Sequence, residues 1–72
     1  MSFLTEIWCE GNARLGHTAC HLGYGKGETF REVCEDWASR NPYFDSHWNR
    51  RFMTYWGDKL YDNEADARDK FG

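Results

Sequence analysis

Six side chains in this 72-residue sequence have the chemistry to hold a soft metal or to pair a nucleophile with a base: Cys9, His17, Cys20 and His21, then Cys34 and His47. Thiolates and imidazole nitrogens suit tetrahedral zinc, and a thiolate beside an imidazole is the start of covalent catalysis. Their arrangement speaks against both uses. The run Cys-x7-His-x2-Cys-His matches none of the usual zinc spacings, and adjacent Cys20 and His21 point to opposite faces if they lie on a strand. No nucleophile elbow, HExxH or recognisable carboxylate pair accompanies them, so no catalytic residue, metal ligand or cofactor is assigned. The three cysteines read as small buried hydrophobes, with a zinc-stabilised domain as an alternative. An odd cysteine count without a CxxC argues against a disulfide framework and fits a reducing, cytoplasmic setting, leaving room for one disulfide on oxidation.

Two further segments carry the residue types of a binding site. Gly23-Tyr24-Gly25-Lys26-Gly27, ahead of a helix start, has the makings of an anion cradle. It lacks the length of a P-loop and the final spacing of a dinucleotide fingerprint, and Glu28 puts a negative charge where a phosphate would sit. The segment is read as a connecting loop whose glycines supply positive φ. Trp48, Arg50, Arg51, Phe52, Tyr55 and Trp56 combine the rings and cations of a stacking platform for single-stranded nucleic acid. A period of two over 51–56 sets Phe52, Thr54 and Trp56 against Arg51, Met53 and Tyr55, so that one face serves the core and the other meets a ligand. A net charge of −3 weakens that reading, because such affinity rests on neutralised phosphates.

The elements that must position these groups follow from pattern. Residues 3–9 alternate, with Phe3, Thr5, Ile7 and Cys9 on one face, as a strand does. A second strand is expected over His17 to Leu22. Thr29-Phe30-Arg31-Glu32 is a capping box, and Phe30, Val33, Cys34, Trp37 and Ala38 form the apolar stripe of a helix that ends at Asn41-Pro42. Residues 43–49 suggest a short helical turn packing Tyr43, Phe44 and Trp48 onto the core. A hairpin of 51–56 and 59–61 around Gly57-Asp58 leads to a final helix capped at Asp62 or Asn63 and containing Ala65, Ala67, Arg68 and Phe71. The order β-β-α-β-β-α predicts a single α+β domain over 1–72, a small antiparallel sheet of about four strands with two helices on one face.

The chain is 40% hydrophobic and 29% charged, as folded domains are. No apolar run approaches the roughly 18 residues of a membrane span, and 1–10 lacks the basic start of a secretory signal. Glu28, Glu32, Glu35 and Asp36 crowd the first helix and Asp62, Glu64, Asp66 and Asp69 the last, against Arg50, Arg51 and Lys59 on the hairpin. That predicts an acidic helical side and a more basic sheet. Four Trp, four Tyr and five Phe exceed what a thin core encloses, since a domain of this size buries only about 60% of its unfolded surface. Exposed Trp, Tyr and Arg dominate interfaces. The expectation is therefore a non-catalytic protein-binding module, accessory, regulatory or inhibitory, using Trp8, Tyr24, Trp48, Arg50, Arg51 and Tyr55. A homodimer is compatible with the same surface, and a nucleic acid is the less favoured partner.

One local resemblance is present. Trp56 to Ala67 resembles the strand-to-helix step of plant-type AP2 DNA-binding domains, over about a sixth of the chain. That family places three strands before its helix, whereas here a helix intervenes, so neither its fold nor its function is carried over.

Overall fold

The computed structural model describes residues 4–69. The expected roles of Phe3 in the first strand and Phe71 in the last helix lie outside the described residues. Among the described residues five strands and three α-helices are formed: β1 (Thr5–Cys9), β2 (Cys20–Gly25), α1 (Phe30–Arg40), α2 (Pro42–His47), β3 (Trp48–Asn49), β4 (Thr54–Tyr55), β5 (Asp58–Tyr61) and α3 (Glu64–Arg68), with a 3₁₀ turn at Ala13–Leu15. The sheet runs β2-β1-β5-β4-β3, and every pairing is antiparallel. The class is α+β, with one strand and one helix more than expected. No helix among the described residues is long and apolar enough to cross a membrane.

The capping box forms with its return bond shifted to the residue before the cap. Thr29 is extended and its Oγ1 accepts the Glu32 amide at 3.2 Å, while Glu32 Oε1 accepts the Glu28 amide at 2.8 Å. Such a cap stabilises a helix by about 1 kcal/mol. Asn41 ends α1, and Pro42, whose missing N–H is no loss in a first turn, begins α2. Asn63 caps α3 by accepting the Asp66 amide at 2.8 Å.

Two cores lie on opposite sides of the sheet. Ile7 and Cys9 of β1 and Leu60 of β5 pack with Val33, Cys34 and Ala38 of α1 and Phe44 of α2. Trp8, one residue out of phase, turns to the other face and joins Ala19, Tyr61 and Ala67 of α3. The expectation of two helices on one face is therefore corrected: α1 and α2 cover one face and α3 the other. This also divides the acidic helices between two faces. Arg40, Arg50 and Arg68 pair with Asp36, Glu35 and Glu64 at 2.7, 3.1 and 2.6 Å, so no single acidic side forms.

Two strand boundaries are corrected. β2 begins at Cys20, three residues later than expected, and takes in Gly23 and Gly25, which were expected in a connecting loop. The glycines are there for proximity: a Cβ at Gly23 would collide with the Trp37 indole, and one at Gly25 with the Val33 carbonyl oxygen. The expected strand over 51–56 is reduced to Thr54–Tyr55. Asn49 Oδ1 accepts the Arg51 and Phe52 amides at 2.9 and 3.0 Å and Asn49 O accepts Met53 N–H at 2.8 Å, winding 49–53 into a tight loop. Met53 and Trp56 have φ of 55° and 54°, which no strand accommodates. The β4–β5 turn is therefore Trp56-Gly57, with Tyr55 opposite Asp58 and both turn residues at positive φ, 54° and 84°. This is the primed geometry that two-residue hairpins favour.

Candidate interaction surface

The Trp56-Gly57 turn projects an indole at the end of the hairpin. Trp56 is 60% exposed, and its backbone N–H donates to the His47 carbonyl at 3.1 Å. Its ring stacks on the His47 imidazole, with centroids 4.0 Å apart and planes 13° from parallel. His47 is fixed in turn by a 2.8 Å hydrogen bond between its Nδ1 and the Tyr43 carbonyl one helical turn earlier. Tyr43, 65% exposed, lies 4.5 Å from the imidazole and 6.4 Å from the indole. Three rings from α2 and the hairpin thus form one outward cluster.

Concave surface flanks the cluster on both sides. On the Trp56 side a cavity of about 370 Å³ is lined by Cys9, Asn12, Leu15, His17, Cys20, Tyr55, Trp56 and Asp58. On the Tyr43 side a cleft of about 180 Å³ is lined by Leu22, Trp37, Asn41, Tyr43, Phe44 and Tyr55. Apolar walls with a few convergent polar groups are the make-up of a recognition site. Cys9 and Cys20, paired across β1 and β2, bring their sulfurs to 3.2 Å in the larger cavity.

Of the six contact residues expected from the sequence, Tyr55 lines both concavities and the other five lie elsewhere. Trp8 is 9% exposed, held edge-on to His21 at 5.2 Å with the Arg68 guanidinium 5.5 Å from its ring, so it is a core residue and not a contact. Tyr55 stacks on Phe44 at 5.0 Å and is half-buried, and burial pushes its phenol above the usual range. It therefore does not share an open ligand face with Arg51, and the stacking platform expected over 51–56 is not formed. Trp48 is half-buried against Phe44 at 5.5 Å, and the Arg50 guanidinium lies 5.8 Å from its ring. Arg50 and Arg51 are exposed, the latter over Phe52, which is itself 66% exposed instead of in the core. Tyr24 is exposed as expected, but it sits with His21 on the α3 face, at 4.7 Å.

Tyr43, expected to pack onto the core, and Trp56, expected beside Phe52 on one face of a strand, are instead exposed, while His47 was considered only as a metal-capable side chain and Leu15 not at all. Tyr43 and His47 are four apart in a segment read as helical, which already places them on one face. Nothing local signals that Trp56 is outside. Among the described residues no three His, Cys, Asp or Glu side chains converge on a common point. His21 turns away to Glu6 at 3.7 Å, and Cys34 is sealed in the main core with its thiol pushed up to about 12 by burial. Comparison with known proteins gave no match: no family model, curated protein or solved structure is similar to this chain.

Proposed function

We propose that this chain is a small non-catalytic protein-binding module whose contact surface is the Tyr43, His47 and Trp56 cluster with the cavity beside it. The observation that carries this reading is Trp56 itself. A bulky residue in the left-handed region costs roughly 1–2 kcal/mol where glycine or asparagine would cost little. An exposed Trp held there is a ring presented outward at some expense of stability, which is how strain is distributed at functional positions. Trp and Tyr are also the types that anchor interfaces. The nucleic-acid alternative has less support, because among the described residues no Lys or Arg lines either concavity. A zinc-stabilised fold has less still, given the scattered ligands.

The test compares tagged wild type, a Tyr43→Ala/Trp56→Ala double variant and Tyr24→Ala, each folded by near-ultraviolet circular dichroism, in quantitative affinity capture. A partner held by wild type and Tyr24→Ala and lost by the double variant is the expected result. Light scattering alongside assigns the surface to a second copy if a dimer dissolves in the double variant alone. Identical captures and masses for all three chains would end the reading.

A further inference from the structure

The cysteine pair is placed by a single irregularity. Along β1 and β2, Thr5, Glu6 and Ile7 face Gly25, Tyr24 and Gly23, and continuing that register would set Cys9 opposite His21. The register slips between Ile7 and Trp8, so that Trp8 faces His21 and Cys9 faces Cys20, with Leu22 as the extra residue of the bulge. Directly opposed residues on antiparallel strands have Cα atoms about 4.5 or 5.5 Å apart, and both spacings lie inside the roughly 4.4–6.8 Å that a disulfide spans. The sulfurs, 3.2 Å apart, need approach only to the ~2.05 Å of a bond.

The two thiols are unlike. Cys20 is exposed, whereas Cys9 is buried, and burial together with the hydrogen bond it shares with Cys20 pushes its thiol up to about 12. Cys9 is therefore the harder of the two thiols to ionise, and Cys20 carries the sulfur that reagents reach. The approach is the cavity of about 370 Å³, whose wall holds both cysteines with Leu15 and Trp56.

We propose that Cys9 and Cys20 form a thiol–disulfide exchange site, entered through this cavity by low-molecular-weight disulfides such as oxidised glutathione. The Cys20 thiolate attacks one sulfur of the small disulfide, forming a mixed disulfide and expelling one thiolate. Cys9, passing its proton to that thiolate, then attacks Cys20 Sγ as a thiolate and expels the second thiolate, which takes up from solvent the proton that Cys20 released on ionising. Two protein thiols and one small disulfide become one Cys9–Cys20 bond and two small thiols, the pair giving up two electrons. Cys34, without access to solvent, takes no part.

The test is incubation of the native chain with oxidised glutathione, followed by alkylation, intact mass and peptide mapping. Wild type is expected to lose two hydrogens with Cys9 joined to Cys20, and Cys34 to alkylate only after denaturation. Cys9→Ala is expected to stop at a glutathionyl adduct on Cys20, and Cys20→Ser to react more than about tenfold slower than wild type. The wild-type linkage decides the matter even if a variant folds poorly. Three free thiols under conditions that oxidise free cysteine, a mixed disulfide as the end product in wild type, or a bond involving Cys34 would each overturn the proposal.

Discussion

Alanine at Gly25 measures how closely α1 lies on β2. Within an ordinary strand, replacing glycine stabilises by about 0.5–1 kcal/mol, because glycine surrenders the most freedom on folding. Here the new methyl would collide with the Val33 carbonyl oxygen, a helix backbone atom that no side-chain rotation can move. The helix must lift, drawing Val33 and Cys34 away from Ile7, the three most completely buried large side chains. Overpacking of this kind costs about 1–3 kcal/mol. That is a large part of the roughly 4–11 kcal/mol expected at about 0.05–0.15 kcal/mol per residue, and each kcal/mol lowers Tm by about 4–8 °C in a domain of this size.

Gly23→Ala is the internal comparison. Its methyl meets the ring of Trp37, a half-buried side chain and not a backbone atom, so the cost is at the lower end, about 1 kcal/mol. Trp37→Leu then restores part of the loss at Gly23, whereas Val33→Ala leaves the carbonyl in place and restores little at Gly25. Urea unfolding followed by tryptophan fluorescence, arranged as two double-mutant cycles, reads these couplings directly. A Gly25→Ala chain as stable as wild type, or rescued by Val33→Ala as fully as Gly23→Ala is by Trp37→Leu, would refute the close approach of α1.

Gly57→Ala is expected to lose about 1–2 kcal/mol in the same assay although nothing lies within 4 Å of the added methyl, because its φ is +84°. Removal of the Thr29 cap by Thr29→Ala should cost about 1 kcal/mol and lower helicity. Phe44→Ala, which removes the ring between Trp48 and Tyr55, is expected to lose about 3–5 kcal/mol by thermal melting. The Lys26 amide and then the Arg40 guanidinium hold the Asp36 carboxyl below its ordinary 3.8. Its contribution is therefore complete above that value and disappears as pH falls through the lower folded one. Acid titration of stability should show this loss in wild type and not in Asp36→Asn.

What was legible in the sequence was whatever is decided within a few residues. Thr29, Glu32 and Pro42 fix the ends of α1 through hydrogen bonds and sterics that do not depend on the rest of the chain. Asn63 does the same for the start of α3, and the Ile7 face of β1 follows from alternation alone. Gly23 and Gly25 were misread because the composition that breaks a strand also permits a helix to lie against one, and only the position of Trp37 and Val33 separates the two. Trp8 looked like a spare ring since its cover, Ala67, is supplied from the far end of the chain. The face of Trp56 was inverted by the left-handed residues at Met53 and Trp56, where the period of two stops. The Cys9–Cys20 neighbourhood depends on the bulge at Leu22, and a bulge has no local signature that alternation would disclose.

The single β1–β5 ladder sets an order of assembly. β1, β2 and α1 are contiguous in the chain, and so are β3, β4, β5 and α3, and among the described residues the sheet joins these halves where Trp8 meets Tyr61 and Cys9 meets Leu60. The flanking bonds, Glu10 N–H to Lys59 O and Lys59 N–H to Glu10 Oε2, both 2.9 Å long, close a loop of about fifty residues. Loop closure of that length comes late in folding, after the local pairings that shorten it. Until it closes, Trp8 lacks the cover of Tyr61 and Ala67, and Leu60 is separated from Ile7 and Val33. The amides of Glu10 and Lys59 are accordingly the ones whose hydrogen exchange reports opening of this seam, while those inside α1 report loss of the half that formed first.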